Sequence, residues 1–310
     1  NFRYLIEKLT YMDHFFDMLR IDHVIGLFRI WAIPVEEPIE NQGINGVFIP
    51  SDEKIWNLQG EEILSVMNQH SSCLLCAEDL GIIPFTCPIT LKKLGIPGYE
   101  VQRWKKHYGT DYSFIPCAEY RQLAIAALST HDTSFWIEWW KHQAGTIEKE
   151  LFELKCRVLN LDTEYLINRL FEKSALRPDR LQWKQEINSI EALAGIIGKD
   201  VETIRDIIEI YRDTFDEKDK LKLILGILDN DSEISCLGKA LKFIYESSSI
   251  FCINLLQDIV CLDKNIANQI SHLRINKPGI ISPDNWSFAF QQPIEYFLQL
   301  PVLKEISKIR

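Results

Sequence analysis

FDMLRIDHVIGLFRIWAIP, residues 16–34, and CLLCAEDLGIIP, residues 73–84, decide the reading of the fold. In each, a short apolar-rich run leads directly into an acid: residues 16–21 into Asp22, residues 73–77 into Glu78. Runs of this length without helical spacing read as buried strands. Residues 2–16 and GEEILSVMNQH, residues 60–70, instead repeat their apolar positions at helical spacing. Further on, residues 88–94 read as a short helix and 99–102 as a third strand. Residues 122–128 read as a short helix or strand before Ser129, and the aromatic stretch 134–142 as a helix. Strands alternating with helices predict an α/β fold with a parallel sheet. In β/α barrels the reactive groups stand at C-terminal strand ends. Asp22, Glu78 and the His131–Asp132 pair occupy such ends.

The rest of the chain is less marked. Pro34, Pro38, Gly43, Gly46 and Pro50 punctuate residues 29–58, which read as a long irregular loop. Residues 145–245 are helical and charged, clearest over 146–159 and 201–211. Residues 200–203 and 216–222 read as surface turns or helix starts. Strand-like composition returns at 249–256, and the Pro-rich stretch 274–301 reads as irregular.

The net charge of −10 excludes the basic footprint of a nucleic-acid binder. No apolar run reaches the ~20 residues that span a bilayer, and no signal peptide is visible. Eight cysteines lie mostly in apolar runs, which fits free thiols in a reducing, cytoplasmic setting better than a disulfide framework. Cys73 and Cys76 form a CxxC, but no second CxxC or paired His completes a metal site. No metal and no cofactor is expected. Eight Trp suit stacking on sugar faces, although most large aromatics belong to cores.

Transfer or hydrolysis at a glycosidic bond with retention needs two carboxyl groups, one to attack the anomeric carbon and one to serve as acid and base. Asp22 and Glu78 are 56 positions apart, and Glu78 and Asp132 are 54 apart. At about 30 residues per βα unit, the second interval fits two units. The first fits one unit plus the long loop. Each acid also has a plain structural reading. Asp22 would be a salt-bridged strand end, Asp79 a helix N-cap, and His131–Asp132 a hydrogen-bonded structural pair.

Taken together, FDMLRIDHVIGLFRIWAIP, AEDLGIIP, LGIPGYEVQRW, STHDTSFWIEWW and RINKPGIISPDNW resemble successive motif blocks of glycoside hydrolase family 77, the 4-α-glucanotransferases. The resemblance covers roughly residues 1–140 and 245–290, and LLQDIVCL at 255–262 matches the family's strand before the final block. It implies a partial TIM (β/α)₈ barrel, strands four to eight, with an α-helical insertion. Its segments would be the C-terminal part of the catalytic barrel at 1–145, the insertion at 146–245, and the last strand with the C-terminal segment at 246–310. It also implies disproportionation of α-1,4-glucans, with maltooligosaccharides or glucans as donor and acceptor. Asp22 would be the nucleophile, with Arg20 holding it ionised. Glu78 would be the acid/base, its pKa raised so that it can donate near neutrality. Asp132 and His131 would grip the sugar. His23 and Asp79 would flank the site, and Trp31 with the 41–50 loop would line the acceptor path.

Two departures matter. Thr133-Ser134 follows His131-Asp132 where Asn-Asp-Thr is common in bacterial members, and Gln102-Arg103 resembles the plant cytosolic branch. Both leave the preferred acceptor open. The chain also opens inside the family's barrel, without the three preceding strands. Sheet edges and apolar faces would then lack cover, so this stretch alone is expected to be a fragment, unstable or inactive by itself. Two other functions remain in play: an α-amylase-like hydrolase, and an inactive glucan-binding fragment.

Overall fold

A computed structural model describes residues 2–41, 43–172 and 177–306. The chain divides into two units. The first holds residues up to Glu100, with Tyr120–Ala126 and Ser248–Ile253; the second holds Val101–Glu119, Ala127–Ser247 and the chain from Asn254 onward.

In the first unit, strand β1 (Met18–Ile21) pairs in parallel with β4 (Leu74–Ala77), in the register Met18↔Leu74 to Ile21↔Ala77. A three-stranded sheet follows in the order β5 (Gly98–Val101), β6 (Ala124–Ala127), β9 (Phe251–Cys252), with β6 and β9 parallel. One backbone bond, Ala77 N–H to the Pro97 carbonyl at 2.8 Å, adjoins β4 to the start of β5. Among the described residues these strands do not close into a ring. All four residues of β6 are buried, as expected of parallel strands covered on both faces.

Helix α1 (Arg3–Met12) stops four residues short of the predicted end, and β1 begins two residues later than its composition suggested. The loop expected over 29–58 is instead partly ordered. It holds an antiparallel ribbon of β2 (Ile30–Ala32) and β3 (Val47–Ile49), and the start of α2 (Glu53–His70). The Asp52 carboxylate caps α2 by accepting the Lys54 N–H at 3.0 Å. Helix α2 therefore begins seven residues before the predicted Gly60. That glycine sits mid-helix because any Cβ there would meet the Phe28 ring at 2.4 Å. Helix α3 (Thr86–Leu94) ends at Gly95, whose φ of +71° supplies the left-handed cap. The core of this unit gathers Leu9, Val24, Phe28, Leu64, Leu75, Leu91 and Ile96.

The second unit is mainly helical. Helix α4 (Trp136–His142) buries three tryptophans, with the Trp136 and Trp140 rings stacked at 5.6 Å. The predicted helix over 146–159 opens instead with β7 (Ile147–Glu148), paired antiparallel with β8 (Arg180–Leu181), before α5 (Lys149–Val158). Helices α6 (Thr163–Leu170), α7 (Ile190–Ile197), α8 (Arg205–Thr214), α9 (Glu217–Leu225) and α10 (Glu233–Tyr245) complete this region. Phe152, Leu170, Phe171, Trp183, Leu193 and Tyr211 anchor its core, Phe171 and Trp183 at 4.4 Å between ring centroids. LLQDIVCL, expected as a strand, is instead helix α11 (Leu256–Val260): the Ile259 N–H donates to the Leu255 carbonyl and the Cys261 N–H to that of Gln257, each four residues back. Helix α12 (Lys264–Ile270) follows. The stretch expected to be irregular at 274–301 contains α13 (Ile294–Leu298), and α14 (Pro301–Ile306) starts at its end. No described helix is long and apolar enough to cross a membrane.

Candidate active site

The parallel register brings Ile21 beside Ala77, so the next residue on each strand, Asp22 and Glu78, emerges at the same sheet end. Backbone bonds lock the two exits together. Glu78 N–H donates to the Ile21 carbonyl at 2.9 Å, and Val24 N–H donates to the Glu78 carbonyl at 3.1 Å. His23, between them, takes a left-handed conformation with φ 46°, uncommon outside glycine. That turn aims its own N–H at Glu78 Oε2, 2.9 Å away. Leu80 N–H donates to Oε1 at 3.1 Å. Each oxygen of Glu78 is thus held by a backbone amide, which fixes the carboxyl from the main chain.

Asp22 is held from one side only. Arg20 Nη2 donates to its Oδ1 at 2.8 Å, while the Asp22 side chain is 71% exposed. The Arg20 guanidinium lies over the Tyr99 ring, 4.9 Å from the centroid. Burial pushes the Tyr99 phenol up, so it presents a neutral face to that cation.

Asp79 faces the other way. It is buried, accepts the Tyr99 N–H at 2.8 Å, and receives Arg121 Nη1 at 2.6 Å and Nη2 at 3.3 Å. Arg121 also donates to the Tyr99 carbonyl at 2.8 Å and to buried Glu100. Gly98 makes room for this cluster: a Cβ there would stand 2.6 and 2.7 Å from the Asp79 oxygens. Asp79 thus ties the turn after β4 to β5, directly behind Glu78.

Asp132 and His131 belong to the second unit. His131 Nε2 stands 3.3 Å from Asp132 Oδ2, and the His131 ring lies 5.0 Å from that of Trp286. Asn276 Nδ2 donates to Asp132 Oδ1 at 2.7 Å, and Arg274 Nη2 donates to the Asp132 carbonyl at 2.6 Å. Asn276 N–H closes the cluster on the His131 carbonyl at 3.0 Å. Sequence reasoning quoted the block that holds Arg274, Asn276 and Trp286 but singled out none of them. Their partners are more than 140 positions away, so no local spacing marks them.

Trp31 lies on the β2–β3 ribbon, half-exposed, its Nε1 donating to the Gly43 carbonyl at 2.9 Å and its ring 4.7 Å from Phe48. Gln42, in the 41–50 loop, lies outside the described residues. The CxxC thiols serve the sheet: Cys73 Sγ donates to the Phe16 carbonyl at 2.8 Å, and Cys76 Sγ contacts that of Leu19 at 3.6 Å. Among the described residues no three His, Cys, Asp or Glu side chains gather to hold a metal ion.

Comparison with known proteins gives this geometry a context. The family profile described as 4-α-glucanotransferase, glycoside hydrolase family 77, matches residues 1–294. A 4-α-glucanotransferase of Chlamydia pneumoniae is 31% identical over 290 residues, 93% of this chain and 40% of that protein. One from Chlamydia caviae is 27% identical over 299 residues, 96% of this chain and 42% of that protein. The chain therefore spans about 40% of the length of these relatives. Among solved structures, the amylomaltase of Streptococcus agalactiae in complex with acarbose superposes over 99% of this chain and 44% of its own, with TM-score 0.56 and 18% identity. At that identity the likeness is one of fold.

Proposed function

The chain belongs to the 4-α-glucanotransferase family, glycoside hydrolase family 77, and from that premise we propose that it carries the retaining machinery for moving α-1,4-glucan segments between maltooligosaccharides. The observation that carries this reading is the pair of acids at adjacent parallel strand ends, Asp22 open to solvent and Glu78 fixed by two backbone amides.

Asp22 attacks the anomeric carbon, and Arg20 steadies the oxygen that is not attacking. Glu78 protonates the departing glycosidic oxygen, and a covalent glycosyl-enzyme forms. Glu78 then takes the proton from the 4-hydroxyl of an acceptor glucan as the bond to Asp22 breaks. Retaining chemistry asks for carboxyl groups roughly 5–5.5 Å apart, a spacing that neighbouring strand ends supply. Asp132, oriented by Asn276 and backed by His131, grips hydroxyls of the reacting sugar. His23 shapes the turn between the acids, Asp79 supports Glu78 from behind, and Trp31 offers its exposed ring to the acceptor chain. The parallel strands are strands four to eight of a (β/α)₈ barrel, made of residues 1–145 and 246–310, with 146–245 as a helical insertion. The carboxylates do the chemistry without a cofactor. Acarbose in the amylomaltase complex supports an α-glucan as ligand. Eight free thiols support a cytoplasmic setting.

Incubation of the natural protein with maltotriose tests the reading, with Asp22→Asn alongside. Glucose plus a ladder of longer oligomers, lost in the variant, is the expected result. Shorter products alone would replace transfer with hydrolysis, and maltooligosaccharide binding without turnover would leave a glucan-binding protein.

A further inference from the structure

Within the second unit, α4, α9 and the segments around β7 and β8 line an open recess of about 270 Å³. Six basic side chains line it: Lys141, His142, Arg177, Arg180, Lys218 and Lys222. In a chain of net charge −10 this is a local inversion. Its five formal cations face two lining carboxylates, Asp216 and Asp219.

Most of the cations already have acids. Lys141 pairs with Glu233 at 3.1 Å, Lys222 with Asp229 at 2.9 Å, and Arg177 with Glu138. Arg180 is fixed by the Thr146 carbonyl at 2.9 Å and by Glu148 at 3.2 Å. Lys218 differs. Its Nζ reaches the Lys141 carbonyl at 3.3 Å and sits 5.5 Å over the Trp140 ring, and among the described residues no carboxylate lies within ion-pair distance. The neighbouring Glu217 carboxylate is taken by Lys106 and by the Gly145 N–H, each at 2.6 Å. Burial pulls the Lys218 ammonium below the usual lysine range, with Glu217 opposing and Lys222 adding to the shift. Burial and Lys141 push His142 down as well, with Glu233 opposing. Both directions describe a recess that shields its cations from water, and Lys218 is the cation there without an ion-paired acid among the described residues.

We propose that this cavity binds a phosphate monoester of a small sugar, with Lys218 as the principal contact of the phosphate. Lysine serves as a point charge for phosphate, and the guanidinium groups beside it are planar donors matched to the same oxyanion. The volume lies just under the roughly 300–1,000 Å³ of small-molecule pockets, which suits a phosphorylated monosaccharide better than a nucleotide. Gln182 and Gln185 bring side-chain amides for hydroxyl groups, and Phe215 an apolar ring for a sugar face. The assignment is independent of the transfer chemistry, because none of these residues belongs to the Asp22–Glu78 or Asp132 clusters.

Isothermal titration calorimetry of the natural protein with glucose 6-phosphate in low-salt buffer provides the test, with glucose and inorganic phosphate as comparison titrants. One site is expected, filled at least tenfold more tightly by the ester than by either comparison. Lys218→Gln should weaken ester binding at least tenfold, while Lys218→Arg, which keeps the charge, stays within threefold of the parent. Circular dichroism of both variants verifies folding. Absent heat from the ester, equal affinity for inorganic phosphate, or unchanged binding by a folded Lys218→Gln protein would each overturn the proposal.

Discussion

Replacing Arg121 by Met removes a cation shared by two buried carboxylates, Asp79 and Glu100. Arg121 makes two bonds to Asp79, a third to Glu100 and a fourth to the Tyr99 carbonyl. The side chains of Asp79 and Glu100 are both fully inaccessible. Breaking a buried ion pair by deleting one partner costs about 3–5 kcal/mol, because the other charge stays behind without compensation. With Asp79 still accepting the Tyr99 N–H, the Arg121 side chain 38% exposed and Met restoring only the bulk, the lower end is expected, about 3 kcal/mol. Against a typical stability of about 5–15 kcal/mol, that is a large fraction. The loss should also depend on pH in a definite direction. Burial without a cation raises the folded-state pKa of a carboxyl above the ordinary value of about 4. The folded variant then holds protons that the unfolded chain has released. Its stability is therefore greatest at low pH and is lost as pH rises through the folded pKa. Urea denaturation followed by far-UV circular dichroism at pH 5 and pH 8 measures both effects. The gap between parent and variant should be widest at pH 8 and narrower at pH 5. A gap under about 1 kcal/mol at pH 8, or one that widens on acidification, would refute the reasoning.

Four further outcomes follow from named contacts. Asp22→Asn should abolish formation of the maltooligosaccharide ladder without shifting the urea midpoint, since its side chain is mostly exposed. Gly98→Ala should destabilise the protein by about 2–3 kcal/mol, as overpacking does, because the new methyl falls within 2.8 Å of Asp79 and Arg121 atoms; a neutral result in the same urea assay would contradict it. Asn276→Ala deletes a 2.7 Å bond to Asp132. Hydrogen bonds to charged groups contribute about 1.5–3 kcal/mol, so transfer to maltotriose should fall roughly 10–100-fold, and less than twofold in a folded variant would remove Asn276 from the site. Of the eight thiols, the partly exposed Cys117 and Cys252 should react first with a disulfide reagent at pH 8. Cys87 and Cys261, buried and with thiols pushed up to about 12, should react only after denaturation.

The two strand ends of the candidate site were legible because their logic is local. A short apolar strand that stops at an acid writes both a strand and a strand-end carboxylate into a few residues, and Asp22 and Glu78 do follow the ends of paired parallel strands. The β2–β3 ribbon was hidden because Pro34, Gly43 and Gly46 punctuate the same stretch that supplies its strands, and three residues per strand show no period. Helix α2 was started late because Gly60 reads as a boundary, when its real constraint is the Phe28 ring pressed against it. LLQDIVCL misled for a different reason. A five-residue helix and a buried strand have the same apolar composition, and only packing chooses between them. Arg121 gave no signal at all, since its partners lie 21 and 42 positions upstream.

The His23 amide has one more consequence. It is a backbone proton resting on a carboxylate oxygen, so its magnetic environment and its rate of exchange with solvent are set by what happens on Glu78. Loss of negative charge from that oxygen weakens the bond and moves the amide resonance, while a ligand that draws the carboxyl away leaves the amide open to deuterium. The left-handed turn at residue 23 thereby places a natural reporter one hydrogen bond from the Glu78 carboxyl, readable by NMR in the unaltered protein.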